Sequence, residues 1–137
     1  MSTAIRDGDP VTQGDRAGET VDAQRVGSRG EDCAARYLVD HGYDVLARNW
    51  RCRHGEIDMI VRGADLVVFV EVKTRTGYGF GGPWSAVPPS KQARIRRLAA
   101  AWLAERDGPW LSVRFDVVCV MLEPGLPPAV THLRDAF

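Results

Sequence analysis

Asp58, Glu71 and Lys73 are the residues whose types and spacing suggest chemistry. They fall in "GEIDMIVRGADLVVFVEVKTR", Gly55 to Arg75, where a short polar break joins two apolar runs. Asp58 interrupts the first run, and Glu71 and Lys73 interrupt the second. Side chains alternate faces along a strand, so Glu71 and Lys73 share one face and Val72 takes the other. Where Asp58 points depends on the hairpin register. A two-residue loop at Ala64-Asp65, or a four-residue loop from Gly63 to Leu66, sets Asp58 opposite Glu71. A three-residue loop sets it opposite Val70 and turns it to the other face, and a bulge also changes the count.

Two carboxylates opposed on neighbouring strands repel, and a divalent cation removes the repulsion. Oxygen ligands select a hard ion, Mg²⁺ or Mn²⁺. Asp58 and Glu71 are the expected side-chain ligands, with the backbone carbonyl of Val72 as a third. Such an ion lowers the pKa of a bound water and polarises a phosphate oxygen. Lys73 reaches the same point, where it can orient the water or stabilise charge on the phosphoryl group. A phosphodiester hydrolase needs little more. E-x-K alone is common on solvated strand edges. The run "LVVFVEVK", however, is apolar on both faces until Glu71, as in a central strand, where carboxylates are rarely left idle.

These residues need a scaffold. The spacing predicts a first helix from Ser28, with Ala34, Ala35, Tyr37 and Leu38 as its apolar stripe and Gly42 as its left-handed stop. Strands follow at Tyr43 to about Arg51, Gly55 to Val61 and Leu66 to Thr74. "GYGFGGPWSAVPP", Gly77 to Pro89, reads as a long loop. Ser90 is the expected cap of a second helix, Lys91 to about Arg106, with Ile95, Leu98, Ala99, Trp102 and Leu103 on one face. After a turn at "DGPW" come a strand in "LSVRFDVVCVML" and a short one at "AVTHL". This order predicts an α/β fold, a mixed β-sheet flanked by helices with antiparallel strands at the front. Residues 1–25 read as a disordered tail and 26–137 as the domain.

Composition narrows the class. The chain has 137 residues, 45% hydrophobic and 26% charged, an ordinary balance for one globular domain. Its net charge is zero, with three basic and five acidic residues up to Arg25 and 15 basic and 13 acidic beyond. Arginine outnumbers lysine 16 to 2, which suits phosphate contacts. Cys33, Cys52 and Cys119 form no C-x-x-C pair, which argues against a zinc site or a disulfide framework. No stretch approaches a membrane span and no leader is visible, so a cytoplasmic protein with reduced thiols and no membrane is expected.

Asp followed by Glu-x-Lys on the next strand resembles the PD-(D/E)xK signature of restriction-endonuclease-like nucleases. The longer pattern is similar to the YraN family of bacterial proteins in "GEDCAARYL", "RNWRCRHGEID", "VFVEVKTR", "KQARI", "RFDVV" and "HLRDAF", from about Gly27 to Phe137. That resemblance implies a restriction-endonuclease-like fold related to archaeal Holliday-junction resolvases. Ile57 stands where the nuclease signature has Pro.

In resolvase-like nucleases an acid on the first helix also reaches the metal. The resemblance extends that role to Glu31, while Ser28-x-x-Glu31 equally fits a capping box. Gln92 resembles a supporting polar position of related nucleases, or is a plain surface glutamine. Arg48, Arg51, Arg53, Lys91, Arg94 and Arg97 are candidates for phosphate contacts, and Trp84 for stacking on a base. His54, beside Gly55, could approach the scissile phosphate, or is simply polar in a turn.

The leading expectation is a Mg²⁺- or Mn²⁺-dependent endonuclease acting on DNA rather than RNA, with branched or damaged DNA suggested. Resolvase-like enzymes often dimerise, which extends the expectation to a homodimer. The alternatives are a non-catalytic nucleic-acid-binding module acting through a partner, and a structural protein with a buried Asp58-Lys73 ion pair. Substrate shape leaves no short motif and stays open.

Overall fold

The computed structural model describes residues 14–76, 87–108 and 111–137, with side chains from residue 24 onward. Its elements are α1 (Gly14–Asp40), β1 (Asp44–Cys52), β2 (Gly55–Arg62), β3 (Leu66–Thr76), α2 (Pro89–Ala104), β4 (Ser112–Leu122) and β5 (Ala129–Leu133). The strands form one mixed sheet in the order β1-β2-β3-β4-β5. β1, β2 and β3 pair antiparallel as two hairpins, β3 and β4 pair parallel, and β4 and β5 pair antiparallel. The expected α/β architecture, a mixed sheet flanked by helices, is what the chain adopts.

Each helix covers one face. Ala34 and Leu38 of α1 pack on Met59, Val61, Val68, Val70, Val72, Val118 and Val120. Ile95, Leu98 and Ala99 of α2 pack on Ile57, Ile60, Val67, Phe69 and Phe115. Burying a leucine such as Leu38 or Leu98 contributes about 2 kcal/mol relative to leaving it exposed. α1 approaches β3 closely at Gly30, where a Cβ would fall 1.9 Å from Thr74 Oγ1. Only glycine lets the helix backbone lie that near the strand.

Both helix starts differ from expectation. α1 begins at Gly14, so Ser28 lies inside the helix and does not cap it. A continuous helix satisfies the N–H groups near Ser28 from within, which removes the need for a capping box. The part of the expected tail from Gly14 onward is helical; residues 1–13 lie outside the described residues. α2 begins at Pro89 with Pro88 as N-cap and no side-chain cap bond, so Ser90 does not cap it. Proline at N1 has its φ already set and lacks the N–H that would go unsatisfied. The expected loop from Gly77 falls mostly outside the described residues, as does part of the "DGPW" turn.

Candidate functional site

The β2–β3 hairpin closes through Gly63 N–H, which donates to the Leu66 carbonyl at 2.8 Å, and Arg62 faces Val67. This is the register of the two-residue turn. β2 and β3 stay paired only up to Met59 and Val70. Beyond that point β2 continues along β1, with Trp50 against Ile57, while β3 continues along β4, with Glu71 against Val117 and Lys73 against Cys119. The sheet forks there, and Asp58 and Glu71 are the first residues past the last pair.

Local backbone irregularity explains the fork. Ile57 and Ile60 both pack in the α2 layer, whereas Met59 and Val61 pack in the α1 layer. Strict alternation would separate Ile57 from Ile60, so alternation breaks between them, although the pairing with β1 keeps its register across Asp58 and shifts between Val45 and Ala47. Across from it on β1, between the pairs Arg48–Met59 and Trp50–Ile57, Asn49 has φ 52. Asparagine tolerates this left-handed conformation better than most residues. The Val72 N–H at the fork donates to Asp58 Oδ2 at 2.9 Å. The carboxylate thereby replaces a strand partner for that amide.

The electrostatics of the fork are strained. Asp58 and Glu71 are both buried. Burial first, and then the charge of Glu71, push the Asp58 carboxyl up to about 8. Burial lowers the Lys73 pKa, with Glu71 acting in the opposite direction. Two hard oxygen donors, one of them raised by the other's charge, fit a divalent cation, which would stabilise both ionised forms. Among the described residues no group of three or more His, Cys, Asp or Glu side chains gathers closely enough to hold a metal.

The remaining candidates divide into groups. Glu31 is buried and accepts from Asn49 Nδ2 at 3.1 Å, with Arg48 3.7 Å away. Arg48 also pairs with Asp32 at 2.9 Å, which directs it toward α1. Lys91 forms a salt bridge with Glu71. The Gln92 amide donates to the Val87 carbonyl at 2.8 Å, tying down the entry to α2. Arg94 lies beside Gly55, the first residue of β2, and Arg51 and Arg53 are exposed at the end of β1 and in the turn that follows. Arg51 pairs with Glu56 at 3.3 Å, and His54 is exposed beside Arg53. Arg97 is exposed on α2, and Trp84 lies outside the described residues. An open groove of about 510 Å³ between α1 and β5 is walled by Cys33, Tyr37 and Val130, and no candidate residue lines it.

A second charged cluster was not anticipated. Asp116, fully buried on β4, accepts two 2.8 Å hydrogen bonds from Arg114 and one of 2.9 Å from Asp135 N–H. His132 Nε2 lies 2.7 Å from Asp116 Oδ2, and Arg114 also donates to Tyr43 Oη at 2.8 Å. Burial works to raise the Asp116 pKa, but the bonds from His132, Arg114 and Asp135 prevail and hold it at about 2. With both oxygens engaged, this carboxylate fastens the C-terminal segment to β4. Arg114-x-Asp116 on one strand face was the visible signal. Its partners, 16 and 19 residues further on, carried none.

The fold and the fork define an α/β protein with a single mixed sheet and two buried acids and a lysine where its central strands part. The chain belongs to the Uncharacterised protein family UPF0102, whose family model matches residues 30–120. It is 56% identical over 116 residues to the UPF0102 protein of Nocardia farcinica, covering 85% of this chain and 91% of that protein. To the UPF0102 protein of Rhodococcus opacus it is 54% identical over 112 residues, 82% of this chain and 95% of the relative. A relative from Mycobacterium sp. (strain KMS) is 47% identical over 135 residues, 97% of this chain and 95% of its own. The matched window contains Glu31, Asp58, Glu71, Lys73, Lys91, Gln92 and Asp116. Among the described residues no helix is long and apolar enough to cross a membrane.

Proposed function

We propose that this chain is a Mg²⁺- or Mn²⁺-dependent nuclease of the restriction-endonuclease-like, PD-(D/E)xK kind. It would act on DNA phosphodiesters in the cytoplasm, with the resemblance to Holliday-junction resolvases pointing to branched or damaged DNA and a homodimer. One observation carries the reading: Asp58 and Glu71 are both buried where β2 and β3 part, with Asp58 bonded to the N–H of Val72, between Glu71 and Lys73. Burial and the neighbouring Glu71 charge raise the Asp58 pKa, and perturbed acids of this kind cluster at functional sites.

Asp58 and Glu71 would hold the ion, with the Val72 carbonyl as the backbone donor. When bound, the ion supplies Lewis acidity toward a phosphate oxygen and toward the attacking water. Lys73 stabilises charge on the phosphoryl oxygens. Glu31, held by Asn49, and Gln92, bonded to the Val87 carbonyl, support the site from the two helices. Arg51, Arg53 and Arg94, with Arg97 further along α2, hold the phosphate backbone beside it.

A second reading, a nucleic-acid-binding module without catalysis, is favoured by the Lys91–Glu71 pair, since an ammonium already compensates one of the two acids.

Mn²⁺ titration into wild type, Asp58→Ala and Lys73→Ala, with each assayed on labelled four-way-junction, flap, single-stranded and duplex DNA, separates the two. The nuclease reading expects wild type to bind Mn²⁺ and cut. Asp58→Ala should lose both, and Lys73→Ala should still bind while cutting about 100-fold more slowly or worse. Failure of wild type to bind Mn²⁺ would leave the binding module.

A further inference from the structure

Lys91 belongs to the first turn of α2, which contains no acidic residue and has no side-chain cap. That is an unfavourable place for a cation, because a helix N-terminus carries partial positive charge and favours anions. Glu71, reaching across from β3, is the anion that offsets both the helix end and the lysine. The pair is asymmetric: the Lys91 side chain is 33% exposed and that of Glu71 9%, so the lysine covers the carboxylate from the solvent side. The positive charge of Lys91 is also felt by Lys73, the next residue on the same strand face. An ion entering at Asp58 and Glu71 therefore meets an ammonium on one of its two acids.

We propose that Lys91 exchanges between two anions, Glu71 in the ion-free protein and a backbone phosphate of bound nucleic acid once a divalent cation takes Glu71. The proposal rests on the nuclease reading and adds a coupling to it. A cation that evicts Lys91 leaves an ammonium unpaired at the positive end of α2. A bound strand supplies the phosphate that receives it. Cation and strand then strengthen each other's binding, reciprocally and by the same factor.

The test uses the full chain and Mn²⁺ calorimetry on wild type and Lys91→Gln, alone and with an uncleavable phosphorothioate duplex. Wild type should bind Mn²⁺ about tenfold more tightly with the duplex present. Without the duplex, Lys91→Gln should bind Mn²⁺ about tenfold more tightly than wild type, and should gain little when it is added. A second readout needs no variant: acetylation of Lys91 in wild type, followed by mass spectrometry, should rise when Mn²⁺ is added. Equal Mn²⁺ affinity of the two proteins, or unchanged Lys91 labelling, would overturn the exchange and leave the metal site standing. Absence of Mn²⁺ binding in both proteins would remove the exchange and the nuclease reading together.

Discussion

Asp58 Oδ2 accepts a 2.9 Å hydrogen bond from the main-chain N–H of Val72, one strand away and one residue past Glu71. The bond ties an ionisable side chain to the backbone where two central strands separate. It also places the carboxyl where burial and Glu71 push its pKa up to about 8.

Stability should therefore depend on pH through Asp58. In the folded chain the carboxyl keeps a proton that the unfolded chain, with a carboxyl near 3.8, releases earlier. The stabilisation it gives is fully present below about pH 4 and is lost as the pH rises through about 8. Without metal, wild type should melt higher at pH 6 than at pH 9. Asp58→Asn, which carries no charge, should show a smaller difference and melt no lower than wild type at pH 9. Circular-dichroism melts at the two pH values decide this; an equal drop in both proteins would acquit Asp58.

Asp116 should behave in the opposite sense. Its pKa is held at about 2, so its contribution is present above the ordinary 3.8 and is lost as the pH falls through about 2. Arg114→Ala leaves a fully buried carboxylate short of its bidentate partner and should cost about 3 kcal/mol in urea unfolding at pH 7. The proposed metal site should be spared, because the hydrogen bonds of the cluster run to Tyr43, His132 and Asp135 and not to Asp58 or Glu71.

Gly30→Ala puts a methyl group 1.9 Å from Thr74 Oγ1. The helix must lift from β3, at a cost of about 2–3 kcal/mol. Adding Thr74→Ala removes the nearest atoms and should restore part of the loss, read as a coupling energy in a double-mutant cycle. Additive effects would show that α1 and β3 do not meet there.

The three thiols should react in a fixed order. Cys119 is buried, and burial pushes its thiol up to about 11, whereas Cys33 and Cys52 are half-buried. The thiolate is the reactive form. Iodoacetamide at pH 7.5 should label Cys33 and Cys52 first, and Cys119 only after denaturation, as read by peptide mass mapping.

Much of this arrangement was legible because it is local. The turn at Ala64-Asp65, one of the loop lengths the sequence left open, gives the register that aligns β2 and β3 as far as Met59 and Val70. Strand periods marked β4, and β5 falls on the residues expected for it. The helix starts misled for a local reason too: Ser28 and Ser90 are good caps in isolation. The upstream turns of α1 and the proline pair before α2 leave them nothing to cap. Other features depend on contacts distant in sequence. Asn49 gains meaning only from Glu31 on α1 and from the break in alternation across from it on β2. Lys91 meets Glu71 twenty residues away, and Asp116 meets His132 sixteen away. No periodicity carries such pairings, because tertiary packing creates them.

Beyond Val70, β3 keeps a paired strand along one edge only. All eleven of its residues align with β4, from Leu66–Ser112 to Thr76–Leu122, whereas β2 releases it at the fork. Glu71 and Lys73 thus sit on a cantilever aligned from β4 and tied to β2 through the Val72 N–H bond to Asp58. Asp58 stands on the opposite bank. No β2–β3 strand pair spans the gap between the acids, so their spacing follows from the β3–β4 alignment and the Asp58–Val72 bond and not from a ladder between the two strands that carry them.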